Sequence, residues 1–174
     1  FLQIAKETGR KLAITPKDAY LLKTMHLLEP EIPDIAHDDN LVVYEDTIAT
    51  RSPAIWVRNI SKDYSNRIVL AEDVRVAQDK FILCFSFLDI NEVPSIRPKP
   101  GSLYVFSSSE PHDEEQEIDF RRLHEWLKHC GIKCFGLPVE VKKENGESEW
   151  GIPEEEKGLH ASGHACGPDL LSIV

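Results

Sequence analysis

KFILCFSF, residues 80–87, is an almost unbroken apolar run of strand length. A strand with one wet face alternates apolar and polar residues. A run like this one is expected where helices cover both faces, as in a parallel sheet. Working outward from it, short strands and helices alternate. Residues 1–8 (FLQIAKET) read as helix turns with Phe1, Ile4 and Ala5 on one face and Gly9 as the C-cap. RKLAIT is a short strand, and Pro16 opens a helix, PKDAYLLKTMHLLE, at the first helical position that proline favours. LVVYE (41–45) is a second buried strand, and Leu103–Ser107 is another. HDEEQEIDFRRLHEWLKHCG begins with acids, carries its bases later and ends at Gly131, so its charges follow the helix macrodipole. Phe120, Leu123, Leu127 and Cys130 form its apolar stripe, with Trp126 beside it. IKCFGLPVEV is a further apolar stretch, and residues 142–157 read as a solvated turn or linker. The expected fold class is therefore α/β, with a mostly parallel sheet flanked by helices.

The chain has 174 residues and a formal net charge of −10. Nonspecific binding to polyanions is disfavoured at that charge. The charge is uneven: six acids and no base lie between Glu110 and Asp119, whereas Arg51 to Arg67 carries four bases and one acid. No apolar stretch approaches the roughly 20 residues of a membrane span. The start resembles no signal peptide, and four scattered cysteines suit a reducing, cytoplasmic setting rather than a disulfide scaffold. With no initiator Met and a start inside a helix, the chain is expected to be a piece of a longer protein.

Three stretches carry candidate chemistry. Ser107-Ser108-Ser109-Glu110 follows a strand and precedes a helix, where α/β folds bind anions through hydroxyls and backbone N–H groups; the plainer reading is a serine cap with a polar turn. TRSPAIWVRNISKDYSNR interleaves Arg51, Arg58, Lys62 and Arg67 with Trp56 and Tyr64, a mix suited to phosphate contact and base stacking; it also reads as a mildly basic surface over a core tryptophan. His160-Ala-Ser162-Gly163-His164 sets two imidazoles and a hydroxyl around a glycine that admits close backbone approach. That set can hold a phosphate and supply a proton near neutral pH, or merely satisfy a turn. His160, His164 and Cys166, with Cys130 and Cys134, do not have the spacing of a standard zinc site.

LHASGHACGPDLLSIV (159–174) resembles the His-x-Ser-Gly-His segment of the β-CASP branch of the metallo-β-lactamase nucleases, such as ribonuclease J and the messenger-RNA 3′-end processing endonucleases. IAKETGRKLAIT (4–15) and PGSLYVFSSSEPHDEEQEIDFRRLHEWL (100–127) resemble two further stretches of the same inserted domain. The resemblance implies a β-CASP domain over residues 1–138, Rossmann-like and three-layered. Residues 139–174 would then be a linker and return segment into a metallo-β-lactamase domain. It implies a zinc-dependent ribonuclease as parent, hydrolysing phosphodiester bonds of RNA. His164 would be the catalytic proton donor, His160, Ser162 and Gly163 would meet the substrate, and Ser107 and Ser108 would line the cleft. The family's zinc-ligand motif, His-x-His-x-Asp-His, does not occur in this sequence. The 174 residues alone are therefore expected to bind no zinc and to be inactive. RNA, the missing domain and a second copy of the chain are the partners this reading allows; a membrane is not. The alternatives are a stand-alone α/β module binding RNA or a phosphorylated ligand, and a purely structural interaction domain.

Overall fold

A computed structural model describes residues 1–45, 54–107, 113–142 and 148–159. The chain forms two compact units, Phe1–Pro98 and Lys99–Val174.

The first unit runs α1 (Leu2–Glu7), β1 (Lys11–Ile14), α2 (Pro16–Leu28), β2 (Leu41–Tyr44), α3 (Ile55–Asp63), β3 (Ile68–Val69), α4 (Ala71–Val76), β4 (Phe81–Cys84) and α5 (Val93–Ile96). Its four strands pair in the order β3-β2-β1-β4, and every pairing is parallel. Alternate side chains of β1 and β2 enter opposite layers. Leu12, Ile14, Leu41 and Val43 pack with Ala5, Ala19 and Ile60 of α1, α2 and α3. Ala13, Val42 and Tyr44 pack with Ala71, Val74 and Ile96 of α4 and α5. The sheet is thus sandwiched between two helical layers, as the unbroken apolar strands lead one to expect.

Two local readings change. Helix α1 buries Ala5, with Leu2 packed against the same cluster, while Phe1 and Ile4 are exposed. Its inward face is set by the sheet beneath Ala5 rather than by the most apolar residues. Residues 80–87 hold a shorter strand, and its side chains are only half-buried. Among the described residues β4 pairs with β1 alone, so it lies at the edge of its sheet.

The second unit contains β5 (Leu103–Val105), α6 (Glu114–His129), β6 (Lys133–Phe135), β7 (Val139–Lys142) and β8 (Ser148–Gly151). Strands β5 and β6 are parallel and joined through α6, which makes a βαβ unit. Leu123 and Leu127 are the buried residues of α6, and Phe120 meets Phe106 edge-to-face at 4.9 Å. Trp126 is 53% exposed. The stretch read as a linker is more ordered than expected. Strands β7 and β8 form an antiparallel hairpin that pairs Lys142 with Ser148, and a 3₁₀ turn spans Glu154–Leu159. Val139-Glu-Val-Lys alternates apolar and charged residues, and the run of acids and lysines after it hides the pairing with β8. No helix among the described residues is long and apolar enough to cross a membrane.

Candidate functional site

In the second unit Ser107 lies at the C-terminal edge of the strand pair. The Phe106 N–H donates to the Phe135 carbonyl at 2.9 Å, extending the ladder one step beyond Val105. Part-buried Ser107 follows directly. Helix α6 begins with Asp113 as N-cap, whose carboxylate accepts the Gln116 N–H at 2.8 Å, and Glu114, Glu115 and Glu117 fill the first turn. The helix therefore satisfies and neutralises its own start, so an anion at this edge would have to be held by the serines and not by α6.

A second segment reaches the same edge. Val105 and Phe135 are partners in register, so Gly136 leaves β6 beside the point where Phe106 and Ser107 leave β5. The Gly136 N–H donates to a carboxylate oxygen of Glu156, anchoring the Glu154–Leu159 turn there. Gly136 has φ +76°, a left-handed turn that glycine adopts without strain. The chain thus returns to the Ser107 edge four residues before His160. His160, Ser162, Gly163 and His164 lie outside the described residues, as does Ser108.

Burial, and then the Glu156 carboxylate, push the Cys134 thiol up to about 11. The Cys84 thiol is also raised, first by burial and next by Asp18. Both are neutral at physiological pH and behave as small apolar groups rather than as thiolate ligands or nucleophiles. Cys84, Cys130 and Cys134 are free. Among the described residues no group of three His, Cys, Asp or Glu side chains could hold a metal ion. These residues do not fit zinc, and no chemical step is assigned to a metal on them.

The first unit contributes a polar edge that was not read from the sequence. Its chain leaves β1 toward β2 and β3 on one side and returns to β4 on the other. The C-terminal ends of β1 and β4 thus flank a topological switch point, the usual ligand crevice of open α/β sheets. Thr15-Pro-Lys-Asp18 and Ser86-Phe-Leu-Asp89 follow these strands with the same hydroxyl-x-x-acid spacing. The Thr15 hydroxyl donates to Asp18 at 2.9 Å, while the Ser86 N–H and hydroxyl donate to Asp89 at 2.6 and 2.7 Å. Those repeated caps were the available signal. Both carboxylates are engaged in local caps, and they make this edge a better acceptor of hydroxyl donors than of phosphate. Deeper in the unit, the Tyr44 hydroxyl donates to buried Glu92 at 2.6 Å.

The basic stretch divides in the fold. Tyr64 is buried, and Arg67 turns inward to donate to the carbonyls of Ala36 and Asp38 at 3.1 and 3.3 Å. Trp56 packs on Tyr20 of α2 with ring centroids 5.6 Å apart. Arg58 and Lys62 are exposed, and Arg51 lies outside the described residues. Two of the six residues that suggested nucleic-acid contact therefore hold the fold together.

No family model matches the chain, and no solved structure does. Among curated proteins it is similar to a GMP synthase [glutamine-hydrolyzing] of Prochlorococcus marinus subsp. pastoris, at 28% identity over 124 residues. That match covers 71% of this chain and 23% of the synthase, so the chain spans less than a quarter of that protein's length.

Proposed function

We propose that the chain is the RNA-binding β-CASP part of a cytoplasmic, zinc-dependent ribonuclease of the metallo-β-lactamase fold. The observation that carries this reading is the anchoring of the Glu154–Leu159 turn through Glu156 to Gly136. It leads the chain toward His160-Ala-Ser162-Gly163-His164 from the strand edge at which Ser107 sits. Hydroxyls and imidazoles drawn from two such segments form a phosphate-binding set, and an imidazole titrating near neutral pH can protonate a leaving oxygen. In this reading His160, Ser162, the Gly163 backbone and the serines at 107 and 108 hold the substrate, and His164 delivers the proton. Residues 139–174 lead into the catalytic domain, which would carry the zinc ligands.

The coding sequence that adjoins this segment provides the first test: it must encode His-x-His-x-Asp-His in the same reading frame. In the intact parent, His164→Ala is expected to slow single-turnover RNA cleavage by about 10²–10⁴-fold at unchanged zinc content, the contribution of a positioned acid. His160→Ala and Ser162→Ala should instead weaken RNA binding, since phosphate contacts persist from ground state to transition state. Cleavage by the His164→Ala enzyme within about threefold of wild type, far short of that contribution, would sink the assignment.

A second reading is favoured by the partial likeness to a GMP synthase: an α/β module that binds a phosphorylated ligand such as GMP. Stoichiometric binding of GMP by the 174-residue chain, with no binding of RNA, would select it.

A further inference from the structure

Helix α2 carries its apolar residues on the wrong side. Only Ala19 is buried, with Leu22 packed against the core, while Tyr20, Leu21, Met25, Leu27 and Leu28 all face outward. Leu27 and Leu28 are 76% and 83% exposed. A helix that coats a sheet normally turns charges to solvent, and α6 of the same chain does so. Ile55 and Trp56 of α3 extend the patch, with Trp56 in contact with Tyr20. On the other flank Leu21, Leu22 and Met25 line an apolar groove of about 270 Å³ together with Leu2, Pro33 and Leu41.

We propose that this face is the interface through which two copies of the chain form a two-fold symmetric dimer, with α2 antiparallel to its counterpart. Area is the first argument. The seven outward side chains are 39–83% exposed. At roughly 150–250 Å² for large side chains, they leave on the order of 700 Å² of surface uncovered. Each partner of a standard interface contributes about 800 Å², and monomers rarely expose apolar patches this large.

The second argument is charge. A two-fold interface must be complementary to itself. With the axis at Thr24, Leu21 lies opposite Leu27 of the partner subunit and Tyr20 opposite Leu28 of the partner subunit. Exposed Lys17, in the first turn of α2, then lies toward the end of the partner helix, where exposed Glu29 of the partner subunit is the C-cap. The axis itself falls on an uncharged residue, and neighbouring Lys23 is bound to Asp63 at 2.6 Å within its own chain. An antiparallel pair therefore buries leucines on either side of the axis and sets Lys17 toward the acidic C-cap of the partner helix. A parallel pair would place lysine on lysine and glutamate on glutamate. The inference does not depend on the nuclease reading, because it uses none of the residues assigned to RNA.

Sedimentation equilibrium of the 174-residue chain tests it. The monomer mass is 19.8 kDa; a dimer of twice that mass is expected at about 100 μM, within the micromolar reach of interfaces of this size. Leu28→Lys, at a position with almost no contacts to lose, should raise the dissociation constant at least about tenfold with an unchanged circular dichroism spectrum. Lys17→Glu and Glu29→Lys should each weaken the dimer, and the double charge swap should restore it. A chain that stays monomeric at about 1 mM, beyond the weak end of that range, overturns the proposal and leaves the face to a different partner. A dimer indifferent to Leu28→Lys and to the charge swap overturns it as well, since association would then use another surface.

Discussion

The described residues cover the sheet of the first unit on both faces and the strand pair of the second on one. Strands β1 and β2 send alternate residues into two clusters, each capped by helices. In β5, Leu103 is 64% exposed, and it and Val105 share the face away from Phe106, which meets α6. Yet LYVF reads as apolar as LVVY. What differs is how often the chain crosses over: the first unit lays helices on both sides between its strands, and the second has a single crossover between β5 and β6. An apolar strand is an offer of two faces, and the connections decide how many are taken up.

The sharpest way to break that comparison is to make equal cavities in the two cores. Leu41 and Leu127 are each 1% exposed. Leu41→Ala opens a hole in a cluster fed by three helices and is expected to cost about 3–5 kcal/mol, the upper part of the Leu→Ala range. Leu127→Ala lies under one helix over two strands, where the surroundings can collapse inward, and should cost about 2–3 kcal/mol, the lower part of the same range. Urea denaturation followed by circular dichroism measures both. Equal losses would mean that the second core is as closely packed as the first.

A smaller effect is expected where the first unit holds a buried polar pair. Tyr44→Phe keeps the ring against Phe85 but withdraws the hydroxyl from Glu92. The expected loss is about 1–3 kcal/mol, the cost of leaving a buried acceptor short of a hydrogen bond. Glu92→Gln, which still accepts from Tyr44, should lose less. If it loses more, the negative charge rather than the hydrogen bond secures that pair.

The smallest effect concerns the loop before β2. The Ala36 N–H, and next the His37 ring, hold the Asp34 carboxyl below the ordinary carboxylate range. A group with a depressed folded-state pKa stabilises the fold above its unfolded value and loses that contribution as pH falls through the folded value. Stability should therefore be constant in this respect above about pH 5 and decline below about pH 4, around the unfolded Asp value. Asp34→Asn should lower the neutral melting temperature slightly, by the contribution that the carboxylate makes there, and flatten that acid limb of the thermal-unfolding profile. An unchanged acid limb would assign the decline to other carboxylates.

The comparison also separates what the residues announced from what they concealed. Helix α6 was legible nearly residue for residue, because its period, its graded charges and Gly131 act locally. The same holds for Pro16 at the start of α2 and for the parallel α/β class, which follows from alternating elements and unbroken apolar strands. The β7–β8 hairpin was not legible, since a charged stretch becomes strand through pairing and not through its own apolar pattern. The outward leucines of α2 are a case of the opposite kind: sequence marks them as apolar but cannot say which neighbours exist to cover them.

For the candidate site, the sequence alone supplied the residue types, the serines after a strand and the histidines around Gly163. Only the tertiary structure decided that Glu156 returns the chain to the edge where Ser107 leaves the sheet. It alone also decided that β1 and β4 flank a switch point with matching caps. The reason is physical. Capping, helical period and turn chemistry act within a few residues and are written in local order. Which strand ends become neighbours depends on sheet order, which is set by the burial of distant apolar faces against one another.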